Sequence, residues 1–327
     1  MRWLSAVLLL VACAPVRVPF DAPELYRVGR FEPDGRFVWS ATRFSLRFDG
    51  SGKVRAVFRQ LTNPASDEGP AQPLRMRFVL DGAPKDVFAD ERGLIEFEAV
   101  APPGRHRFTM LRQSEALIGE ARLVELELPP GAKLEPWQPQ RLFEFVGDSI
   151  TVGFGDEGKD PCPFSSKTQA ITAAWPWLVG EALGADIRVV GWSGRGVIRN
   201  WRDREGPTVP DLWAPAEPRP DAVFIALGAN DWWNGDPGPK FLAAYLSFVE
   251  RVQRAYPGVP IVSVTTGPRA QVLRTAAALQ LIEVGEIPGG GCVGHPDSQA
   301  QRRLADDVIA KLCADAKGGS CRGASAP

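Results

Sequence analysis

Apolar and polar residues alternate along the N-terminal part of the chain. This two-residue period appears at residues 44–48, 74–80 and 124–128. Successive side chains of a β-strand point to opposite faces of a sheet, so the period predicts strands with one buried face. Turn-forming residues cluster at 49–52, 81–82 and 102–104. Residues 20–135 are therefore predicted to form an antiparallel β-sandwich.

A different pattern begins after residue 141. Short, continuous apolar runs occur at 142–146, 187–190, 222–227 and 261–264. Segments with helical periodicity lie between and after them, at 173–183, 241–256 and 299–312. Short buried strands that alternate with helices indicate a parallel sheet covered on both faces. Residues 141–315 are predicted to form this α/β domain, with 316–327 as a tail, and ligands bind such sheets at the carboxyl ends of the strands.

Composition excludes several classes of function. The chain has 327 residues, of which 44% are hydrophobic, and its net charge is -1. The length suits two domains with cores of their own, and a charge so close to zero argues against a nucleic-acid-binding protein. Only two histidines are present, His106 and His295. Sites built from several histidines, which include most zinc hydrolases, are therefore excluded, and we expect neither a metal nor a cofactor.

The start of the chain resembles an export signal. Arg2 precedes an apolar run at residues 3–11, which is shorter than the roughly 20 residues needed to span a bilayer. The run ends in Leu-Val-Ala-Cys, which resembles a bacterial lipobox with Cys13 as the lipidated residue. Residues 1–12 are thus predicted to be a lipoprotein signal peptide. We expect an exported protein anchored in the membrane only by its lipid, in the periplasm or at the cell surface; an ordinary signal peptide would give a secreted protein.

The other cysteines suggest disulfide bonds. Of the five cysteines, Cys162, Cys292, Cys313 and Cys321 remain after Cys13, and an even number in an exported chain favours disulfides. Three pairings are open. One of them joins Cys313 to Cys321 in a short loop and leaves Cys162 to pair with Cys292. No Cys-x-x-Cys spacing is present, which argues against a metal site built from cysteines.

Four short motifs follow predicted strands or precede a predicted helix. They are Gly-Asp-Ser with Ser149, Ser-Gly-Arg with Gly194, Gly-Ala-Asn-Asp with Asn230 and Gly-His-Pro with His295. In this order they resemble the four blocks of the SGNH (GDSL-type) hydrolases, over roughly residues 141–315. The resemblance implies a flavodoxin-like α/β fold and a serine esterase.

The chemistry of these residues fits acyl transfer. A serine hydroxyl needs a base to become a nucleophile. Ser149 is the expected nucleophile and His295 the expected base, because His106 lies in the sandwich half between two arginines. The tetrahedral oxyanion needs preorganised hydrogen-bond donors. The backbone N–H groups of Ser149 and Gly194 and the side-chain amide of Asn230 are expected to supply them.

A closer resemblance is to carbohydrate esterase family 2. It rests on residues 143–155 and 192–200, on the segment 112–120, and on a sandwich that precedes the hydrolase domain. The resemblance implies a jelly-roll sandwich and the removal of acetyl groups from polysaccharides such as xylan, often at sugar 6-O positions. The expected partner is an acetylated polysaccharide or oligosaccharide. The sandwich half lacks a nucleophile–base pair, so we expect it to be structural and to orient the substrate.

The last motif departs from that family. Its members often read Cys-Asp-Trp-His-Pro, whereas this chain has Val293 and Gly294 before the histidine. The usual acid is therefore missing, and we expect a Ser–His dyad in which a backbone carbonyl orients the imidazole. Asp297 is the other candidate for the third member. Without the usual tryptophan, sugar stacking is expected from Trp232 or Trp233.

Two other functions stay open. One is a lipase- or thioesterase-like GDSL hydrolase, against which the preceding sandwich and the absence of a long apolar lid both argue. The other is a non-catalytic glycan-binding protein, suggested by the altered residues 293–294. The sequence carries no signal for the oligomeric state.

Overall fold

The computed structural model describes residues 14–66 and 69–315. The predicted signal peptide at 1–12, the predicted lipidation site Cys13, the tail at 316–327 and Cys321 lie outside these residues. Within the described part of the chain, no helix is both long and apolar enough to cross a membrane.

In the described residues, the N-terminal domain is built from eight antiparallel strands. They are β1 (Val16–Arg17), β2 (Tyr26–Val28), β3 (Arg43–Gln60), β4 (Arg75–Leu80), β5 (Ala83–Phe88), β6 (Leu94–Arg112), β7 (Ala121–Leu128) and β8 (Lys133–Glu135). Their order is β1-β7-β3-β6-β4-β5, and β2 and β8 pair with the first half of β3. Phenylalanines fill the space that these strands enclose, among them Phe44, Phe58, Phe78 and Phe108.

Two of the three predicted turns are wrong. The strands β3 and β6 run straight through residues 49–52 and 102–104, and they pair with each other along almost their whole length. The glycines instead mark a shift of register between Gly50 and Gly52, where one strand bulges. The turn at 81–82 is confirmed: Asp81 and Gly82 both have positive φ and connect β4 to β5 as a two-residue hairpin loop.

The C-terminal domain contains a five-stranded parallel sheet. Its strands are β9 (Arg141–Gly147), β10 (Ala185–Gly191), β11 (Ala222–Ala226), β12 (Ile261–Thr265) and β13 (Gln280–Glu283), in the order β10-β9-β11-β12-β13. Its helices are α1 (Ser149–Val152), α2 (Trp175–Leu183), α3 (Val209–Leu212), α4 (Pro239–Ala255), α5 (Gly267–Leu273) and α6 (Ser298–Asp315). An antiparallel domain followed by a parallel α/β domain confirms the predicted fold class.

Each face of the parallel sheet has its own apolar core. On one face Phe145 stacks on Phe224 and meets the edge of Trp175 from α2. On the other face, residues of α4 at helical spacing, including Tyr245 and Phe248, pack against the strands. Because all five strands are parallel and covered on both sides, their carboxyl ends meet at one edge of the sheet, where the ligand site of such folds lies.

The two domains are packed against each other. Ala41 and Leu111 of the antiparallel domain are buried in the core on one face of the parallel sheet, and Trp39 is buried in the other. Polar contacts join them as well. The Tyr26 hydroxyl donates to Asp186 over 2.6 Å, and Arg43 also pairs with that carboxylate. The two domains therefore share an interface with both apolar and polar contacts.

Candidate active site

Ser149 lies at the junction of β9 and α1. The strand ends at Gly147, where any side chain would collide with Thr151, because a Cβ at this position would overlap the Thr151 hydroxyl. Asp148 caps α1, because its side chain accepts a hydrogen bond from the N–H of Ile150 over 3.1 Å. This tight connection places Ser149 in the first turn of a helix at the carboxyl edge of the sheet.

His295 reaches Ser149 from a loop before α6. Its Nε2 lies 3.0 Å from Oγ of Ser149, and its Nδ1 lies 3.3 Å from the carbonyl oxygen of Val293. The ring of Phe154 packs on the imidazole, with centroids 4.4 Å apart. A proton on Nδ1 would be donated to the Val293 carbonyl, which leaves Nε2 free to accept the serine proton. The pair has the geometry of a nucleophile and its base.

The other sequence-predicted residues lie around the same cavity. Ser149, Gly194, Asn230 and His295 all line a cavity of about 320 Å³. Gly194 has a φ of +77°, in the left-handed region that favours glycine. The Asn230 amide donates to the carbonyl of Arg195 over 2.8 Å, so the third motif is tied to the second.

The two candidate tryptophans have different surroundings. Trp233 is 36% exposed and lines the cavity. Trp232 packs edge-on against Phe241, with centroids 4.6 Å apart, at the margin of an apolar core. Trp201 also lines the cavity and was not predicted. Its position directly after the 192–200 segment could have identified it as a site residue.

Asp231 is a second residue that sequence reasoning missed. It is fully buried, and its carboxylate accepts hydrogen bonds from the backbone N–H groups of Val197, Ile198 and Arg199. It therefore fixes the loop that follows Gly194. The signal was its place beside Asn230, since an acidic residue directly after a strand end is well placed to bind the neighbouring loop.

A comparison with known protein families decides the class of the chain. Residues 145–319 match the model of the GDSL-like lipase/acylhydrolase family. The chain belongs to this family. The predicted resemblance to SGNH (GDSL-type) hydrolases is confirmed, and with it the prediction of a serine ester hydrolase.

Relatives of this GDSL-family chain include a cellulase/esterase and an acetylxylan esterase/glucomannan deacetylase. It is 26% identical to the cellulase/esterase CelE of Acetivibrio thermocellus over 261 residues, which are 74% of this chain and 31% of CelE. It is 28% identical over 322 residues to an acetylxylan esterase/glucomannan deacetylase of Cellvibrio japonicus, with 84% of each chain covered. The chain thus spans about a third of CelE's length.

Solved structures of carbohydrate esterase family 2 share the fold. An enzyme of that family from Cellvibrio japonicus superposes with a TM-score of 0.80 at 20% identity, over 91% of this chain and 97% of the other. A Corynascus enzyme of the same family, which carries a carbohydrate-binding domain, gives a TM-score of 0.75 at 23% identity, over 89% and 98%. The two-domain plan of the GDSL-family chain is therefore that of family 2 structures.

The acid of the Gly-Asp-Ser motif is electrostatically unusual. Asp148 is almost completely buried, and this burial raises its pKa to about 6. The guanidinium of Arg269 acts in the opposite direction by favouring the charged carboxylate. Asp148 is therefore a carboxyl group that titrates near neutral pH, one residue before the candidate nucleophile.

A disulfide bond holds the loop that carries His295. Cys162 and Cys292 are bonded, with their Cα atoms 4.7 Å apart. Asp160 supports the same loop, since its carboxylate accepts from the N–H of Gly294 over 3.3 Å. Cys313 lies in α6. Among the described residues no cluster of His, Cys, Asp or Glu could hold a metal ion.

Proposed function

We propose that this chain is an exported carbohydrate O-acetylesterase. It removes acetyl groups from polysaccharides or oligosaccharides through an acyl-enzyme on Ser149. The observation that carries the proposal is the 3.0 Å contact between Oγ of Ser149 and Nε2 of His295, at the wall of a cavity that Gly194 and Asn230 also line.

The proposed mechanism uses a Ser–His dyad. His295 takes the Ser149 proton as Oγ attacks the acetyl carbonyl, and it then gives that proton to the departing sugar oxygen, which leaves as a hydroxyl. Water, activated by the same imidazole, hydrolyses the acetyl-serine. The N–H groups of Ser149 and Gly194 and the Asn230 amide donate to the tetrahedral oxyanion. The carbonyl of Val293, 3.3 Å from Nδ1, orients the imidazole in place of a carboxylate.

Support for a carbohydrate substrate comes from the relatives and from the cavity. The relatives are named as a cellulase/esterase and as acetylxylan esterases/glucomannan deacetylases. Trp201 and Trp233 line the cavity, and indole rings are suited to stacking on the apolar faces of sugars. Trp233 also adds bulk near Asn230, which favours acetyl over longer acyl groups.

Export remains a proposal based on residues 1–13. The bond between Cys162 and Cys292 supports it, because disulfides persist in oxidising compartments such as the periplasm and the cell exterior. We propose lipidation at Cys13 as the means of attachment.

The nucleophile is tested by Ser149→Ala. We expect kcat on 4-nitrophenyl acetate to fall at least about 1000-fold, because the substitution removes the attacking oxygen. Circular dichroism and thermal unfolding should match those of the wild type. The matched control is Ser51→Ala, at an exposed serine of β3, which should keep wild-type kcat. Retention of more than a few per cent of kcat in Ser149→Ala would refute the assignment.

Two nitrophenyl esters and a set of acetylated polysaccharides separate the proposal from its alternatives. An acetylesterase should turn over 4-nitrophenyl acetate faster than the octanoate and release acetate from acetylated xylan, mannan or glucomannan. Faster octanoate turnover would instead favour the lipase-like alternative. A wild-type protein that binds these glycans but hydrolyses neither ester would be the non-catalytic binding protein.

A further inference from the structure

A carboxylate of the antiparallel domain reaches the catalytic domain beside the active site. Glu115 lies between β6 and β7 and is fully buried. Its Oε2 accepts from the N–H of Ser193 over 2.9 Å, and its Oε1 accepts from the Ser193 hydroxyl over 2.7 Å. Oε1 also accepts from the amide of Gln169 over 2.9 Å. Both oxygens are therefore used, and two of these three bonds go to one residue.

Ser193 directly precedes Gly194, the proposed oxyanion donor. A carboxylate that grips both the N–H and the hydroxyl of Ser193 fixes the orientation of that residue. The chain just after Gly194 is also held, because Asp231 accepts from three successive N–H groups, those of residues 197–199. In the sequence, Gly194 thus lies between two segments that buried carboxylates hold, one carboxylate from each domain.

The burial of Glu115 needs a reason, because an ionised carboxylate loses its hydration when it is buried. The loop around it is built to support it. The guanidinium of Arg112 is also fully buried and donates to the backbone carbonyls of Ser114, Glu115 and Gly119. The Glu115 carboxylate also interacts electrostatically with this guanidinium, and the backbone bonds of Arg112 hold the loop that carries Glu115.

We propose that Glu115 is a positioning residue for acyl transfer: it sets the Gly194 N–H in the direction of the oxyanion. The inference rests on the proposed function of Gly194. It gives the antiparallel domain a part in the chemical step itself, beyond the structural and substrate-orienting role expected from the sequence.

Glu115→Gln is a sharp test because it keeps the shape of the side chain. A glutamine has one acceptor oxygen, so in either amide orientation its NH₂ group faces a donor, the Ser193 N–H or the Gln169 amide. We expect kcat on 4-nitrophenyl acetate to fall about 100-fold, the size of effect seen when an oxyanion donor is lost or misplaced. KM should stay within about threefold, since the ester itself does not touch Glu115.

The matched control is Glu120→Gln, five residues further along. Glu120 is partly exposed and pairs with Arg36 at the surface. The same change of charge there should leave kcat and KM at wild-type values. A loss in Glu120→Gln equal to that in Glu115→Gln would overturn the proposal, because the effect would then come from net charge or from general damage to this loop.

A tetrahedral inhibitor separates positioning from misfolding. A boronic acid that forms an adduct with Ser149 mimics the oxyanion, so its Ki should rise in Glu115→Gln by about the factor by which kcat/KM falls. A phosphonate that reacts with Ser149 counts the correctly folded active sites, and at completion it should still label one site per chain. Fewer titrated sites with an unchanged Ki would show a structural role only and would overturn the proposal.

Ser193→Ala keeps the test decisive if Glu115→Gln does not fold. It removes the hydroxyl contact and keeps the N–H contact, so we expect a smaller loss of kcat, about fivefold, with a parallel rise in the boronate Ki. Wild-type kcat and Ki in Ser193→Ala would then refute the positioning role.

The failure of this proposal can be told apart from the failure of the proposed function. If Ser149→Ala is inactive and Glu115→Gln is fully active, only the positioning proposal fails. If the wild type hydrolyses neither ester, both proposals fail.

Discussion

Val293 has a backbone conformation that residues with β-branched side chains rarely adopt. Its φ is +56° and its ψ is +35°, and left-handed geometry costs a non-glycine residue roughly 1–2 kcal/mol. The residue is 50% exposed, so its burial does little to offset the strain. The conformation directs its carbonyl towards Nδ1 of His295. The strain is therefore located at the group that we propose orients the base.

This geometry predicts that Asp297 is dispensable for catalysis. The Asp297 carboxylate accepts from the N–H of Ala300 over 2.8 Å at the start of α6, and asparagine caps helices about as well as aspartate. Asp297→Asn should therefore keep both its thermal stability and kcat, within about threefold. Steady-state kinetics on 4-nitrophenyl acetate measure this, with His295→Ala as the inactive reference. A loss of about 1000-fold or more would identify Asp297 as the third catalytic residue.

Asp148 predicts a pH dependence of stability. Its pKa is raised from 3.8 to about 6, so between those values the folded chain holds a proton that the unfolded chain has released. The contribution of Asp148 to the free energy of unfolding is fully present below pH about 4. It is lost as the pH rises towards 6 and does not change further above that. Asp148→Asn lacks this titration. The difference between its free energy of unfolding and that of the wild type should therefore rise by up to about 3 kcal/mol as the pH is raised from 4 to 7.

Urea unfolding of both proteins at several pH values measures that difference. The titration of the other carboxylates is common to both proteins and cancels in the difference. Parallel stability curves for Asp148→Asn and the wild type would contradict the prediction.

Single residues were predictable where local pattern and chemistry coincide. Ser149 and His295 each stand at a strand end or before a helix, with a side chain suited to catalysis. Glu115 has no such signal, because its partners Gln169 and Ser193 lie 54 and 78 residues away. Only the packing of one domain on the other brings the three together.

At the scale of elements, buried helices and strands were predictable and glycine-rich segments were not. The predicted strand at 142–146 lies within β9, and the predicted helix at 241–256 nearly coincides with α4. Glycine serves both turns and bulges, so 49–52 could not be assigned without knowledge of the partner strand. The short strand β13, in which only Ile282 is buried, has too little apolar pattern to be found.

The bond between Cys162 and Cys292 predicts a shared loss of stability in its variants. It joins positions 130 residues apart. We expect the removal of a disulfide that closes so long a loop to cost roughly 2–5 kcal/mol. Cys162→Ser, Cys292→Ser and the double variant should all lose about the same stability, because each loses the same bond. Thermal unfolding under oxidising conditions checks this; additive losses would contradict it.

At the scale of the whole molecule, the order of the domains was predictable and their interface was not. The change from a two-residue period to alternating strands and helices marks where one domain gives way to the other. The interface depends on contacts such as Tyr26 with Asp186, 160 residues apart, which no local pattern reports. The domain boundaries at 20–135 and 141–315 stay predictions.

The apolar and polar contacts between the domains predict that both domains unfold together. Far-ultraviolet and tryptophan signals should give one coincident thermal transition. Asp186→Asn should lower the free energy of unfolding from both signals equally, by about 3 kcal/mol, because it leaves the largely buried Arg43 beside an uncharged group. Asp34→Asn, at an exposed ion pair with Arg36, should have little effect. Two separate transitions, or a shift in only one signal, would contradict the prediction.

The strand β10 ends the parallel sheet on one side, yet all seven of its residues are buried. Edge strands with unpaired backbone groups are templates for aggregation. Here the antiparallel domain lies against that edge and anchors it at Asp186. Because synthesis proceeds from the N-terminus and domains fold as they emerge, this domain leaves the ribosome before β10 does. The antiparallel domain is therefore made before the edge strand that it covers. A version with the domain order reversed should aggregate more readily during synthesis.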